Sequence, residues 1–179
     1  MKTKIIILFC SFFIGVASLN AQKEFKNKIN LYNKAQQREG LWKDDINKYW
    51  RSETYYHNGK KNGIYKLFSI ERSELEIFGE YKNDTITGTW YYFSNYGHLT
   101  MSQHDFQQNT YQTPIVHHMR QKELCPFRCY CIFYYPNGNK KSEGILLWDK
   151  DPESDFTFEY GEWKYYDENE RLIETKVFK

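Results

Sequence analysis

Gly161-Glu162-Trp163-Lys164-Tyr165-Tyr166-Asp167-Glu168-Asn169-Glu170-Arg171-Leu172, running on through Ile173-Glu174-Thr175-Lys176-Val177-Phe178, decides the fold. A glycine opens the stretch, and Trp163 and Tyr165 follow on alternate positions. The polar run Asp167 to Glu170 interrupts, and alternation then resumes as far as Phe178. Successive side chains of a strand face opposite ways, so alternation on both sides of a polar turn predicts a β-hairpin.

Working outward, Gly88-Thr89-Trp90-Tyr91-Tyr92-Phe93-Ser94-Asn95-Tyr96-Gly97-His98-Leu99 repeats that pattern 73 positions earlier. A second motif alternates with it. Tyr56-His57-Asn58-Gly59-Lys60-Lys61-Asn62-Gly63 returns 25 positions on as Tyr81-Lys82-Asn83-Asp84-Thr85-Ile86-Thr87-Gly88, and Asn137-Gly138 marks another copy within Cys131 to Gly144. Asn-Gly is a strong hairpin cue because both residues accept positive φ. Gly40 lies 23 positions before Gly63, and 73 is close to three such periods. A period of this size predicts stacked supersecondary units, each completing the buried face of its neighbour. The expected fold is therefore all-β.

Gly-x-Trp-x-Tyr-Tyr-x-x-Asn-x-x-Leu alternating with Tyr-x-Asn-Gly-x-x-x-Gly resembles the MORN repeat, in the bacterial variant labelled antitoxin-like. Tyr56 to Phe68, Tyr81 to Leu99, Phe133 to Gly144 and Gly161 to Ile173 carry the likeness, over roughly half of the chain that follows the leader. The resemblance implies an elongated, curved antiparallel sheet of successive hairpins. It also implies binding, scaffolding or assembly instead of chemistry, and its label implies an immunity-type partner. The chain departs from the pattern in three places: the first unit lacks its tyrosines, and Asp84 and Glu170 stand where turn glycines are expected.

Residues 1–21 read as a secretory signal peptide, with Lys2 and Lys4 before an apolar run from Ile5 to Val16 and small residues up to Ala21. The run is shorter than the roughly 20 apolar residues that a membrane span needs. Export to the periplasm, the cell surface or the medium is expected, with no membrane span after cleavage. Residues 22–39 are expected to form a lead-in helix or cap, because Phe25, Ile29, Tyr32 and Ala35 recur at helical spacing. Residues 40–179 then form the repeat domain. Of the charges, 25 Lys and Arg face 23 Asp and Glu, and loss of Lys2 and Lys4 leaves the counts equal. That balance argues against nucleic acid or an anionic membrane as partner.

Residues 100–130 do not fit the pattern and are expected to be an irregular insert, the kind of excursion that repeat proteins place on a binding face. The insert holds His117, His118, Cys125 and Cys129, with Cys131 just beyond. Imidazole and thiolate are zinc's ligands, yet Cys-x3-Cys-x-Cys lacks the paired spacing of a structural site. In an exported chain the expectation is one disulfide among the three, joining Cys125 to Cys129 or Cys131, because Cys129 and Cys131 share a strand face. A cysteine nucleophile with His117 or His118 as base has no motif around it. Asp149, Asp151, Glu153 and Asp155 alternate like the start of a calcium loop but lack its glycine and closing glutamate, so a solvated loop is expected.

Trp90, Tyr92, Trp163 and Tyr165 are the candidate binding residues, as a stacking platform for sugars or peptides, against the competing reading of cross-strand packing. No catalytic residue and no cofactor is expected. The chain is expected to be non-enzymatic and to bind or scaffold a protein or envelope component. The alternatives are a metal- or thiol-dependent protein centred on the His/Cys insert, and an immunity protein neutralising a toxin.

Overall fold

A computed structural model describes residues 28–111, 115–116, 122–123, 125–148 and 157–179, the two short central segments as backbone only. Residues 1–21, where a signal peptide is expected, lie outside them. The described residues form an 11-stranded antiparallel sheet in which each strand pairs with the next in sequence, plus a separate two-stranded ribbon. In chain order the strands are β1 (Leu31–Tyr32), β2 (Arg38–Asp45), β3 (Trp50–His57), β4 (Lys60–Ser69), β5 (Leu75–Lys82), β6 (Thr85–Phe93), β7 (Leu99–Gln108), β8 (Ile115–Val116), β9 (Lys122–Glu123), β10 (Phe127–Tyr134), β11 (Lys140–Trp148), β12 (Thr157–Tyr166) and β13 (Leu172–Phe178). β8 and β9 form the ribbon between β7 and β10, which pair directly. Among the described residues no helix is long and apolar enough to cross a membrane.

Two expectations need correction. From Lys28 onward the anticipated helix is instead the strand β1 and a tight turn, closed by Asn33 N–H donating to Gln37 C=O at 2.8 Å. Asn30 and Gln36 take left-handed φ values of 57° and 60°, which a helix does not admit. The remaining residues, 22–27, are not among those described. The insert is also shorter than residues 100–130, because β7 runs to Gln108 and β10 starts at Phe127.

Strand registers show why the units repeat. One row across the sheet reads Trp42, Thr54, Tyr65, Gly79, Trp90, Gln103, Cys131, Gly144, Trp163 and Lys176, with register shifts at Gly79 and Gly144, which meet the rings of Trp90 and Trp163. Trp42, Tyr65, Trp90 and Trp163 are buried, and each follows by two positions a glycine with positive φ: Gly40, Gly63, Gly88 and Gly161. At Gly88 and Gly161 the glycine opens a bulge, so that one partner residue, Gly79 or Gly144, faces three. The extra residues swing each indole flat over the facing glycine. Trp90 then donates Nε1–H to the Glu80 carbonyl at 3.3 Å, and Trp163 to that of Ile145 at 2.9 Å. Either indole would otherwise bury an unpaired donor.

The core follows from this row. Tyr65, Leu67, Ile77, Tyr81 and Trp90 make one cluster, and Cys129, Cys131, Leu146, Trp148 and Trp163 another, with Ile86 and Phe106 packed against both. The turn departures keep the hairpin geometry. Asp84 sits at φ 65° and Glu170 at φ 59°, the left-handed region that glycine would occupy. Asp84 offsets its strain by a reciprocal link to the neighbouring hairpin: its N–H donates to Lys61 C=O at 2.9 Å, and Lys61 N–H donates to its carboxylate at 2.7 Å.

Candidate binding cleft

Trp90 and Trp163 have 0% exposure, so neither can stack on a ligand. Tyr92 and Tyr165 lie partly buried beside them, their hydroxyls donating to Gln103 at 2.9 Å and Glu159 at 3.1 Å. The anticipated stacking platform is thus a packed core, because the bulges turn the indoles onto glycine instead of solvent.

Nor does the structure join Cys125, Cys129 and Cys131 by a disulfide. All three are buried, and Cys131 lies in the register row at the place that a tryptophan or tyrosine takes in the other units. Cys129 and Cys131 project in parallel from one strand face, which does not suit a disulfide ring. Burial pushes the Cys129 thiol up to about 12, with the Trp148 indole acting weakly the other way. Burial raises Cys131 further still, and the neighbouring Cys129 adds to it. Neither supplies a free thiolate at neutral pH, the form that nucleophilic attack requires. His117, His118 and the acidic run 149–156 lie outside the described residues. Among those described, no group of three metal-ligating side chains converges.

The structure brings together a different set. A cleft of about 640 Å³ opens where β5, β7 and β11 end and β6 and β10 begin. Phe106, Phe127 and Trp148 form its apolar wall, with Ile86 and Tyr81 opposite. Phe127 stacks on Trp148 with ring centroids 4.7 Å apart, and Phe106 meets the same indole edge-on at 6.1 Å. Gln107, Gln108, Thr85, Lys61 and Asp84 form the rim. The Lys61 ammonium sits 4.5 Å over the Tyr81 ring. The rim therefore carries one cation, one anion and two carboxamides. Trp148 is buried, and its indole N–H has no aligned acceptor.

Both excursions from the hairpin pattern, residues 109–126 and 149–156, leave the sheet at this end. The sequence offered one signal for the cleft. Phe106 and Phe127 both lie inside the stretch 100–130 that departs from the repeat, where Phe127 pairs with Gln108 at the end of β7.

The opposite face of the sheet carries a polar cluster. Glu143 accepts from Tyr166 at 2.5 Å and from Lys140 at 2.8 Å. Burial raises the Glu143 carboxyl, but the bonds from Lys140, Tyr166 and Tyr130 outweigh it and hold the group below its ordinary value. Tyr166 is pushed up to about 12 by its bond to Glu143, and Tyr130 to about 12 chiefly by burial. These groups satisfy one another as a structural network.

No family model matches the chain, and no characterised protein or solved structure is significantly similar to it.

Proposed function

We propose that this chain is an exported, non-enzymatic protein of MORN-like hairpins that binds a protein partner through the cleft at the Phe106, Phe127 and Trp148 wall. The observation that carries the reading is the composition of that cleft. An aromatic wall with a nearly charge-neutral, carboxamide-rich rim suits an apolar side chain presented on a polypeptide. The Gln107 and Gln108 amides can donate to and accept from the partner's backbone, whereas a phosphate or an anionic headgroup would need more cations than Lys61. The position of the cleft beside both excursions supports the same reading, since such excursions cluster on binding faces.

The test places a photo-crosslinking side chain at Thr85 on the rim and, as a control, at Tyr55 on the opposite face, in cells that make the protein. A discrete protein adduct is expected from Thr85 alone. Gln108→Trp, which fills the cleft without altering the core, is expected to abolish it. No adduct, equal adducts at both positions, or an adduct indifferent to Gln108→Trp overturns the reading.

A further inference from the structure

The two edges of the sheet are unequal. β1, at one edge, is two residues long and is preceded by Asn30 at positive φ, a blunted edge of the kind that discourages pairing. β13, at the other, is seven residues long, and no described strand pairs with its outer side. Leu172, Ile173 and Val177 on it are 56%, 68% and 67% exposed. A long edge strand carrying Ile173, Thr175 and Val177 offers unpaired N–H and C=O groups to any strand of matching pattern.

The pattern that matches is its own. Read outward from Thr175, the strand is a palindrome in chemistry: Glu174 and Lys176 are opposite charges, Ile173 and Val177 are β-branched, and Leu172 and Phe178 are large and apolar. We infer that β13 pairs antiparallel with β13 of a second copy, about a two-fold axis through Thr175, joining the two sheets edge to edge. Such an interface is isologous, so each contact occurs twice. Glu174 then lies opposite Lys176 of the second copy, and Ile173 opposite its Val177.

The charges select this register. A two-fold axis normal to the sheet keeps every side chain on its own face, so the allowed registers differ by steps of two residues. Sliding one step one way sets Glu174 against itself, and one step the other way sets Lys176 against itself, and like charges directly opposite are unfavourable. Only the Thr175-centred register converts both into attractive pairs. Within one copy Lys176 Nζ already reaches Glu174 at 3.1 Å, with both side chains about half exposed, so either can turn to a partner without leaving a buried charge.

The test is sedimentation of the purified full chain from about 1 μM to about 1 mM, the range that separates moderate from negligible self-affinity. A concentration-dependent monomer–dimer equilibrium is expected. Lys176→Glu, or Glu174→Lys, turns two attractive cross-pairs into two repulsive ones, and either is expected to weaken the dimer at least about tenfold. The double swap restores it. A Thr175→Cys variant is expected to form a covalent dimer under mild oxidation, while Ile173→Cys does not, because residue 173 faces 177 and not itself. A chain monomeric throughout, a dimer insensitive to Lys176→Glu, a double swap that fails to rescue, or equal crosslinking at 173 and 175 overturns the inference.

Discussion

Gly144→Ala tests the account of the repeat most directly. A Cβ at this position would lie 2.5 Å from Trp163 Cδ2 and 2.6 Å from two further ring atoms, far inside contact distance. The indole cannot swing away cheaply. It has no exposed surface, it packs in the cluster with Cys131 and Trp148, and its Nε1–H is tied at 2.9 Å to the carbonyl of Ile145, the residue next to the substitution. Overpacking a core typically costs about 1–3 kcal/mol. Loss of the indole hydrogen bond adds about 1 kcal/mol, so a total of about 3 kcal/mol is expected. For a chain of this length that corresponds to a fall in Tm of roughly 6–12 °C.

Urea unfolding followed by tryptophan fluorescence measures this loss. Trp163→Leu, which removes the ring that the methyl meets, should make Gly144→Ala markedly cheaper in the double variant than in the parent. Gly97→Ala provides the control. Gly97 sits at φ +74° with nothing within 4 Å of an added Cβ, so only backbone strain of about 1 kcal/mol applies. A Gly144→Ala cost no greater than that of Gly97→Ala, or strict additivity with Trp163→Leu, would refute the indole-over-glycine packing.

Two further outcomes follow from the turns and the thiols. Asp84→Gly should leave the denaturation midpoint nearly unchanged, because relief of left-handed strain offsets loss of the 2.7 Å bond from Lys61 N–H, whereas Asp84→Ala loses the bond and keeps the strain, at about 1–2 kcal/mol. The Cys129 thiol is raised from its ordinary 9.0 to about 12, so between those values the unfolded chain has released a proton that the folded chain retains. Stability is fully present below about pH 9 and falls as pH rises towards about 12. Cys129→Ala should reduce that alkaline slope in pH-dependent urea titrations, the remainder coming from Cys131 and the raised tyrosines, and an unchanged slope would show that the thiol does not titrate between the two states.

The hairpin array was legible because its signals are local. Asn58-Gly59 and Asn137-Gly138 declare their turns, and Gly-x-Trp declares a strand at Trp90 and Trp163, whatever lies elsewhere in the chain. Which face those aromatics take was not legible, because it depends on a long-range match. Trp163 is buried only because Gly144, 19 positions earlier, leaves room for an indole on the adjacent strand. Read singly, Gly79 and Gly144 look like weak points in strands. Read through the register, they are half of a paired unit. The place of the cysteines was not legible for a related reason. Their residue types suggest cross-linking or metal chemistry, whereas Cys131 occupies the slot that tryptophan or tyrosine fills in the other units.

The same register links the fold to the cleft. A small side chain at 131 replaces a full indole in the fourth hairpin, in the part of the sheet where both excursions depart. Phe106, Phe127 and Trp148 gather there, and all three belong to or pack against the cluster that contains Cys131. Where a Gly–Trp pair forms, as at Gly79 with Trp90 and Gly144 with Trp163, the indole is buried and fills the face. Between those two pairs the chain has no other, and there the 640 Å³ cleft opens. A lapse in the repeat thus coincides with an opening in the packed face, which ties the candidate binding surface to the irregular unit instead of to the well-formed ones.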